Sequence, residues 1–408
     1  MKILHTSDWH LGHKLYGKHR YQEFSLFLDW LLTVLDEQGI ETLLIAGDVF
    51  DGQTPSNQIL ELYYRFLSRI SHSPCRHVII IGGNHDSPTL LNAPRELLRF
   101  LDIHVIGRAP EEMDDEIILL RDENNRPELM VLAVPYLRDR DLRSTDAGES
   151  LYDKEKKLLA GIEDHYSRLY ERAEKIQEGL EKPLPIVAMG HLFCQGGSTS
   201  QGDGIRELYV GSLVRVGLDT FPAQIDYLAL GHLHLAQKVR RQENRRYSGA
   251  PLTMGFNEAD KQKYVLAVTL TPSLTVTEIP VPCFQALHSI TGDLVHILTT
   301  INHLRERQQS ILLEINYSGQ ALLDDLQEQI DRAVADSPLE VLRISNKRIY
   351  DHVLQHTSEI KTLEDLSPFQ VFQQCLHLHE VDQDQQQEME QTFSTALAAL
   401  ENEDSSRE

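Results

Sequence analysis

Five short segments of this chain each place hard donor side chains directly behind an apolar run. They are Asp8-Trp9-His10, Gly47-Asp48, Gly83-Asn84-His85-Asp86, Gly190-His191 and Gly231-His232-Leu233-His234. A chain built this way must bring several strand ends to one edge, because the donors sit on backbone turns and are not scattered over a surface. One such segment would be weak evidence, since a single histidine is more often a surface or satisfied core residue than a ligand. Five in one order point to a designed cluster of oxygen and imidazole donors.

The runs themselves alternate between two periods. Residues 2–7, 42–46 and 77–81 are short and apolar, as buried strands are. Between them lie amphipathic stretches over 21–38, with Phe24, Phe27, Leu28, Leu31, Leu32 and Leu35 on one stripe, and over 57–70. Such alternation implies βαβ units and a largely parallel sheet. In sheets of that kind the ligand crevice lies beyond the carboxyl ends of the strands, where each donor segment sits. Further strands are expected at 116–120, 129–134, 185–189 and 226–230, with a charged helix over about 150–178 and a Gly/Ser-rich loop at 195–204. Strands at 245–248 and 263–270 are expected to complete a second sheet layer. The domain carrying the donors therefore runs over 1–275.

Beyond Pro272 the pattern changes. Residues 276–346 alternate helix and strand (294–307, 311–317, 320–334 and 340–344) without a donor segment, and read as a small separate α/β domain. In 347–408, Ser367-Pro368 opens a helix bearing Phe369, Phe372 and Leu376, and a second helix carries Met389, Phe393, Leu397 and Leu400. Two short helices hardly form a core alone. They either pack back on the chain or dock on another protein.

Length and composition set limits. At 408 residues, two or three domains are expected. No apolar run reaches the ~18 residues that span a bilayer, and the first strand begins at Ile3, so a cytoplasmic protein without a signal peptide is expected. Cys75, Cys194, Cys283 and Cys375 are widely spaced, which disfavours disulfide scaffolds and structural zinc. A net charge of −23 argues against binding DNA over the whole surface. The excess is uneven, however: residues 380–408 hold nine carboxylates against Arg407 alone. Basic residues gather beside the donor segments, as Lys14, Lys18 and Arg20, as Arg138, Arg140 and Arg143, and as Lys238, Arg240, Arg241, Arg245 and Arg246. Each group is either a solvated face or a phosphate contact.

Two divalent ions roughly 3.5–4 Å apart hold both the attacking and the leaving oxygen of a phosphodiester. Such a pair needs a shared anion, and Asp48 is the natural bridge. Oxygen and imidazole donors without thiolate suit Mn²⁺, Fe²⁺ or Zn²⁺. His85 is followed by Asp86, a carboxylate expected to hold the imidazole's tautomer and orientation.

The order DxH, GDxxD, GNHD, GH, GHxH resembles the calcineurin-like metallophosphoesterases. The fuller strings ILHTSDWHLG (3–12), AGDVFD (46–51), GNHDS (83–87), YLALGHLH (227–234) and YSGAP (247–251) resemble the SbcD family of nuclease subunits, over almost the whole chain. The resemblance implies a two-layered β-sandwich flanked by helices, with 276–346 as a capping domain. It implies two Mn²⁺ ions, one on Asp8, His10, Asp48 and His234, the other on Asp48, Asn84, His191 and His232. Residues two apart in an extended segment point the same way, so His232 and His234 serve one ion each. It implies that His85 touches the phosphate and assists the leaving group, while Asp51 stays outside the ligand set. It further implies an ATP-regulated 3′→5′ double-strand exonuclease and single-strand or hairpin endonuclease in DNA repair, recombination and replication, in the cytoplasm with the nucleoid. The partner implied is an SbcC-type SMC-like ATPase, bound through the C-terminal segment, with a homodimer of this chain inside a heterotetramer. The chain has no GxxxxGK[ST] loop, so ATP hydrolysis falls to that partner. The competing readings are a phosphodiesterase or phosphomonoesterase acting on a small nucleotide ester, and a non-catalytic scaffold.

Overall fold

The computed structural model describes residues 1–142, 151–195, 215–319, 323, 325–346, 376, 386 and 389–394. The chain divides into two compact units, Met1–Leu287 and His288–Glu408.

The first unit opens with strand β1 (Lys2–Thr6), a small hairpin of β2 (Lys14–Leu15) and β3 (Lys18–His19), and helix α1 (Tyr21–Glu37). β4 (Thr42–Ala46), α2 (Asn57–Ile70) and β5 (His77–Ile81) follow, then two short helices, α3 (Pro88–Asn92) and α4 (Arg95–Arg99), and β6 (Ile103–Ile106). Next come β7 (Ile117–Arg121), β8 (Pro127–Ala133), the one-turn helix α5 (Asp139–Leu142), the long helix α6 (Leu151–Glu178) and β9 (Ile186–His191). β10 (Tyr227–Gly231), β11 (Gln237–Lys238), β12 (Arg245–Tyr247), β13 (Tyr264–Thr269) and β14 (Thr275–Pro280) complete the unit.

These strands form two six-stranded sheets, ordered β14-β13-β1-β4-β5-β6 and β11-β12-β10-β9-β8-β7. The centre of each is parallel; both flanks of the second sheet are antiparallel, whereas in the first only the β13 and β14 side is, β6 running parallel to β5. Side chains alternate across each strand, and both faces are apolar. In the first sheet Ile3, Leu44, Ile79 and Ile81 face the second sheet and meet Val131, Val187, Met189 and Ala229. Their neighbours Leu4, Leu43, Ile45, Val78 and Ile80 face α1 and α2. On the far side, Met130, Leu132, Ala188 and Leu228 pack under Ile162, Tyr166 and Leu169 of α6. The result is the expected two-layered sandwich with helices on both outer faces. Ser56 caps α2 by accepting the Ile59 N–H, and Ser87 caps α3 ahead of Pro88.

Three expectations change. The strands expected at 245–248 and 263–270 do not share a layer: β12 lies beside β10 in the second sheet, whereas β13 pairs with β1 in the first. A boundary at 275 would detach β14, yet β14 pairs along its length with β13, so the first unit extends to Leu287. Apolar periodicity also overlooks β6 and the hairpin of β2 and β3, whose strands are too short to show a period.

β15 (Ala286–Gly292) crosses the boundary between the units and, with β16 (Ile311–Tyr317) and β17 (Leu339–Asn346), forms the three-stranded sheet of the second, which also contains α7 (Leu294–Glu306) and α8 (Leu326–Val334). Ile297, Ile301 and Leu304 of α7 and Leu326 and Ile330 of α8 are buried, as are Leu312, Leu313 and Ile315 of β16. Asp293 caps α7 by accepting the His296 N–H at 2.8 Å. The first part of the helix expected from residue 320, the loop at 196–204, Arg143, and nearly all of the expected helices over 367–400 lie outside the described residues. Among the described residues, no helix is long and apolar enough to cross a membrane.

Trp9 locks the first strand mouth. Its ring is fully buried, edge-on to Phe27 at 5.8 Å and Phe66 at 5.4 Å, and its indole N–H donates to Thr6 Oγ1 at 3.0 Å. Trp9→Ala should cost about 3–5 kcal/mol, read as a lower denaturant midpoint of the metal-free protein, whereas Trp9→Phe should recover most of that loss.

Candidate metal centre

The donor segments converge because the backbone pairing of β1 with β4 continues past the strand ends. The amides of Asp8, His10 and Leu11 donate to the carbonyls of Gly47, Asp48 and Val49 at 2.9–3.0 Å. This brings the turn after β1 alongside the turn after β4. Asp8, His10 and Asp48 have φ of 53°, 44° and 50°, and His232 has 104°. Non-glycine residues with positive φ are uncommon and persist only where their surroundings hold them. Here four of them are expected ligands.

The two sheets meet at this edge with no room to spare. A Cβ on Gly231 would lie 1.9 Å from the Ala46 carbonyl oxygen, so only glycine lets the end of β10 pass the end of β4. The same carbonyl accepts the Nδ1–H of His191 at 2.9 Å. That bond fixes the tautomer and turns the Nε2 lone pair into the site.

All seven expected ligands come together, in two groups. His10 Nε2 lies 3.2 Å from His234 Nε2, with Asp8 completing that group. Asn84 Oδ1 lies 2.9 Å from His191 Nε2 and 3.1 Å from His232 Nδ1. Asp48 stands between them, its Oδ2 3.2 Å from His191 Nε2 and 3.7 Å from His10 Nε2. Its other oxygen accepts the His85 backbone N–H at 2.9 Å. His232 and His234 thus face different groups, as expected, but through a turn and through different ring nitrogens, not through extended alternation. Asp8 is held by the His232 N–H at 2.9 Å and by the Ser7 hydroxyl, which also meets Ser248 Oγ at 2.8 Å.

The electrostatics suit a cation. Burial lowers His232 to about 3 and takes His234 well below the ordinary imidazole range, so both rings are neutral and offer lone pairs. Burial raises the Asp8 carboxyl. Burial opposes ionisation of Asp48 too, but the rings of His191 and His10 overcome it and hold that carboxyl well below its usual range. For His191, burial is outweighed by Asp48 and Asp8, which raise the ring to about 9. Without a metal, the site draws a proton onto a buried imidazole. Oxygen and imidazole donors that concentrate negative potential in this way fit divalent ions of the Mn²⁺, Fe²⁺ and Zn²⁺ type.

One role differs from the sequence reading. Asp86 does not hold the His85 imidazole. Its carboxylate is fully buried and accepts the N–H groups of Gly83, Val49 and Phe50 at 2.8–3.1 Å, tying the turn after β5 to the turn after β4. Burial raises it to about 6, with Asp48 adding to the effect and the three amides opposing it. The His85 Nδ1–H instead donates to the Asp51 carbonyl at 3.0 Å. Asp51 stands outside the ligand set and behind it: its Oδ1 lies 3.5 Å from His10 Nδ1 and 3.1 Å from His13 Nδ1. Proximity in sequence to Asp48 is the only signal of that role.

Several basic residues beside the donors are structural. Arg20 is buried and forks onto Glu23 at 2.8 Å. Arg246 is buried against Glu243 and Glu278, and Arg245 donates to the Ile225 and Ala223 carbonyls. Cys194 is a buried thiol raised to about 12 by desolvation, in line with its exclusion as a ligand.

A family model described as calcineurin-like phosphoesterase matches residues 1–236, and one described as type 5 capsule protein repressor C-terminal domain matches residues 283–380. The chain is 36% identical over 411 residues to the SbcD subunit of the SbcCD nuclease of Escherichia coli, covering 98% of each chain. It is 32% identical over 362 residues to the protein of that name from Rhodobacter capsulatus, covering 85% of this chain and 88% of the relative. The Bacillus subtilis protein is 32% identical over 332 residues, covering 80% and 82%. With the strand-end donor site already in place, this likeness over nearly its whole length shows that the chain belongs to the SbcD family of nuclease subunits, on the calcineurin-like phosphoesterase fold.

Proposed function

We propose that this chain is the catalytic subunit of an SbcCD-type complex and hydrolyses DNA phosphodiesters at the strand-end site, as a 3′→5′ double-strand exonuclease and single-strand or hairpin endonuclease in repair, recombination and replication. The observation that carries the reading is the Asp48 carboxylate placed between two histidine groups. Asp8, His10, Asp48 and His234 hold one ion, and Asp48, Asn84, His191 and His232 hold the other, with Mn²⁺ the expected metal. When bound, the two ions supply Lewis acidity and an acidified water. The chain supplies the rest. His85 has its Nδ1–H tied to the Asp51 carbonyl, so Nε2 handles the proton of the leaving oxygen. Asp86 keeps the turns bearing Asp48 and Asn84 in register from behind.

The hairpin that follows His10 supports a nucleic-acid substrate. It presents exposed Lys14 and His19 with Lys18, and Tyr16 stands 50% exposed at its tip, stacked 5.9 Å from Phe256. Cations beside an aromatic face suit a phosphate backbone with unstacked bases.

At the end of α4 in the same unit, Leu97 and Phe100 are 70% and 89% exposed beside Arg95, Glu96 and Arg99. A two-fold interface presents the same patch from both copies, and this exposed apolar pair is a surface that a second copy would cover, which supports the homodimer within a heterotetramer. The ATPase partner is assigned to the C-terminal segment, and the complex to the nucleoid.

Three measurements test these assignments. Asp48→Ala should lose bound Mn²⁺ together with cleavage of hairpin DNA, whereas His85→Ala should keep two ions per chain and slow cleavage on the order of 10²–10⁴-fold. Metal loss in His85→Ala would make that ring a ligand, and a wild-type chain active on small nucleotide esters but never on DNA would sink the nuclease reading. Lys14→Ala with Lys18→Ala should weaken DNA binding and flatten its salt dependence by roughly 0.9 per lost phosphate contact, with hydrolysis of bis(p-nitrophenyl) phosphate unchanged. Leu97→Asp should shift the purified chain from dimer to monomer in light scattering; an unchanged mass would place the interface elsewhere.

A further inference from the structure

Behind the metal centre lies an ion pair that the proposed chemistry does not use. Lys263 and Glu258 are both buried, with Nζ 2.7 Å from Oε2. Burying an ammonium and a carboxylate is costly, and apolar residues of similar volume often serve stability as well or better. The reason for the pair is therefore sought in what its atoms hold.

Lys263 Nζ also donates to the backbone oxygen of His234 at 3.2 Å, an oxygen that accepts the Ala250 N–H at 3.1 Å as well. Glu258 Oε2 accepts the Met254 N–H at 3.0 Å. The Met254 carbonyl lies 3.2 Å from His13 Nε2, and His13 Nδ1 lies 3.1 Å from Asp51 Oδ1. That same oxygen is 3.5 Å from His10 Nδ1. One buried pair thus reaches the backbone of His234 directly and the ring of His10 through three residues. Those two rings face each other, Nε2 to Nε2, at 3.2 Å. The other group has a support that this network does not reach, since His191 is fixed by the Ala46 carbonyl, while the His232 amide is tied to Asp8 of the first group.

We infer that Lys263 and Glu258 are positioning residues for one half of the centre, setting His234 and His10 together and leaving Asn84, His191 and His232 to other contacts. The inference rests on the two-ion reading proposed above. It follows that the two ions depend on different parts of the fold and are separable by substitutions that touch no ligand.

The test is calorimetric titration of the metal-free full chain with Mn²⁺, alongside metal content and thermal melting. The variants are Lys263→Met combined with Glu258→Leu, which removes both charges, and His13→Gln, which cuts an outer link. The pair variant should keep one ion at the wild-type affinity and bind the other roughly 10–100-fold more weakly, the range for a lost partner of a metal ligand. His13→Gln should weaken the same ion. In a His234→Ala background the pair change should add nothing further. Two ions bound at wild-type affinities by both variants would overturn the inference, and so would equal weakening of both ions, which marks a general loss of packing. If the pair variant does not fold, Glu258→Gln, which keeps the side chain's volume and removes its charge, decides for the pair by the same readout. A wild-type chain that binds fewer than two ions would overturn the two-ion reading itself.

Discussion

Two carboxylates, Asp8 and Asp48, are buried in one pocket of this molecule. Like charges out of reach of water are tolerated only where cations or hydrogen-bond donors surround them. The rest of the first unit supplies that surrounding. The rings of His10, His191, His232 and His234 converge from two sheets, and backbone amides and the Ser7 hydroxyl cover the remaining lone pairs. The left-handed conformations of Asp8, His10 and Asp48 turn the chain sharply enough to direct the donors inward. The sandwich is the frame that makes such turns tolerable, because each follows a strand buried on both faces.

Much of this is legible in the residues. Strands such as Thr42–Ala46 and His77–Ile81 are unbroken apolar runs, and α2 has a clear stripe and a serine cap. The donor segments announce themselves by position, since each ends such a run. What escapes is whatever depends on contacts distant in sequence. Nothing near Arg245 or Arg246 marks them as buried structural groups; their partners are carbonyls and carboxylates brought up by other strands. Adjacency in sequence assigns Asp86 to the neighbouring imidazole, but its carboxylate points to amides some 36 residues away. The layer membership of β12 and β13 is likewise beyond periodicity, which reports a strand but not its neighbours.

The same distinction separates the proposed ligands from their supports. Asp8, His10, Asp48, Asn84, His191, His232 and His234 are of types that bind metals, so their chemistry is visible in the letters. Asp51, His13, Lys263 and Glu258 act on position, and position belongs to the folded chain. A buried lysine 29 residues beyond a histidine has no pattern of its own. Its meaning comes from the carbonyl it donates to.

The three amides gathered by Asp86 have a consequence for how the centre fills. Gly83, Val49 and Phe50 belong to turns that follow different strands, and the bonds between them involve no metal. The pocket therefore takes its shape from the chain alone, and an arriving ion does not have to organise the loops. Which divalent ion fills it then follows the ions' own intrinsic order of affinity and their availability, since the site's oxygen and imidazole donors accept several of them. The identity of the working metal becomes a property of the cell's supply, and a change in that supply would retune the enzyme without any change to the chain.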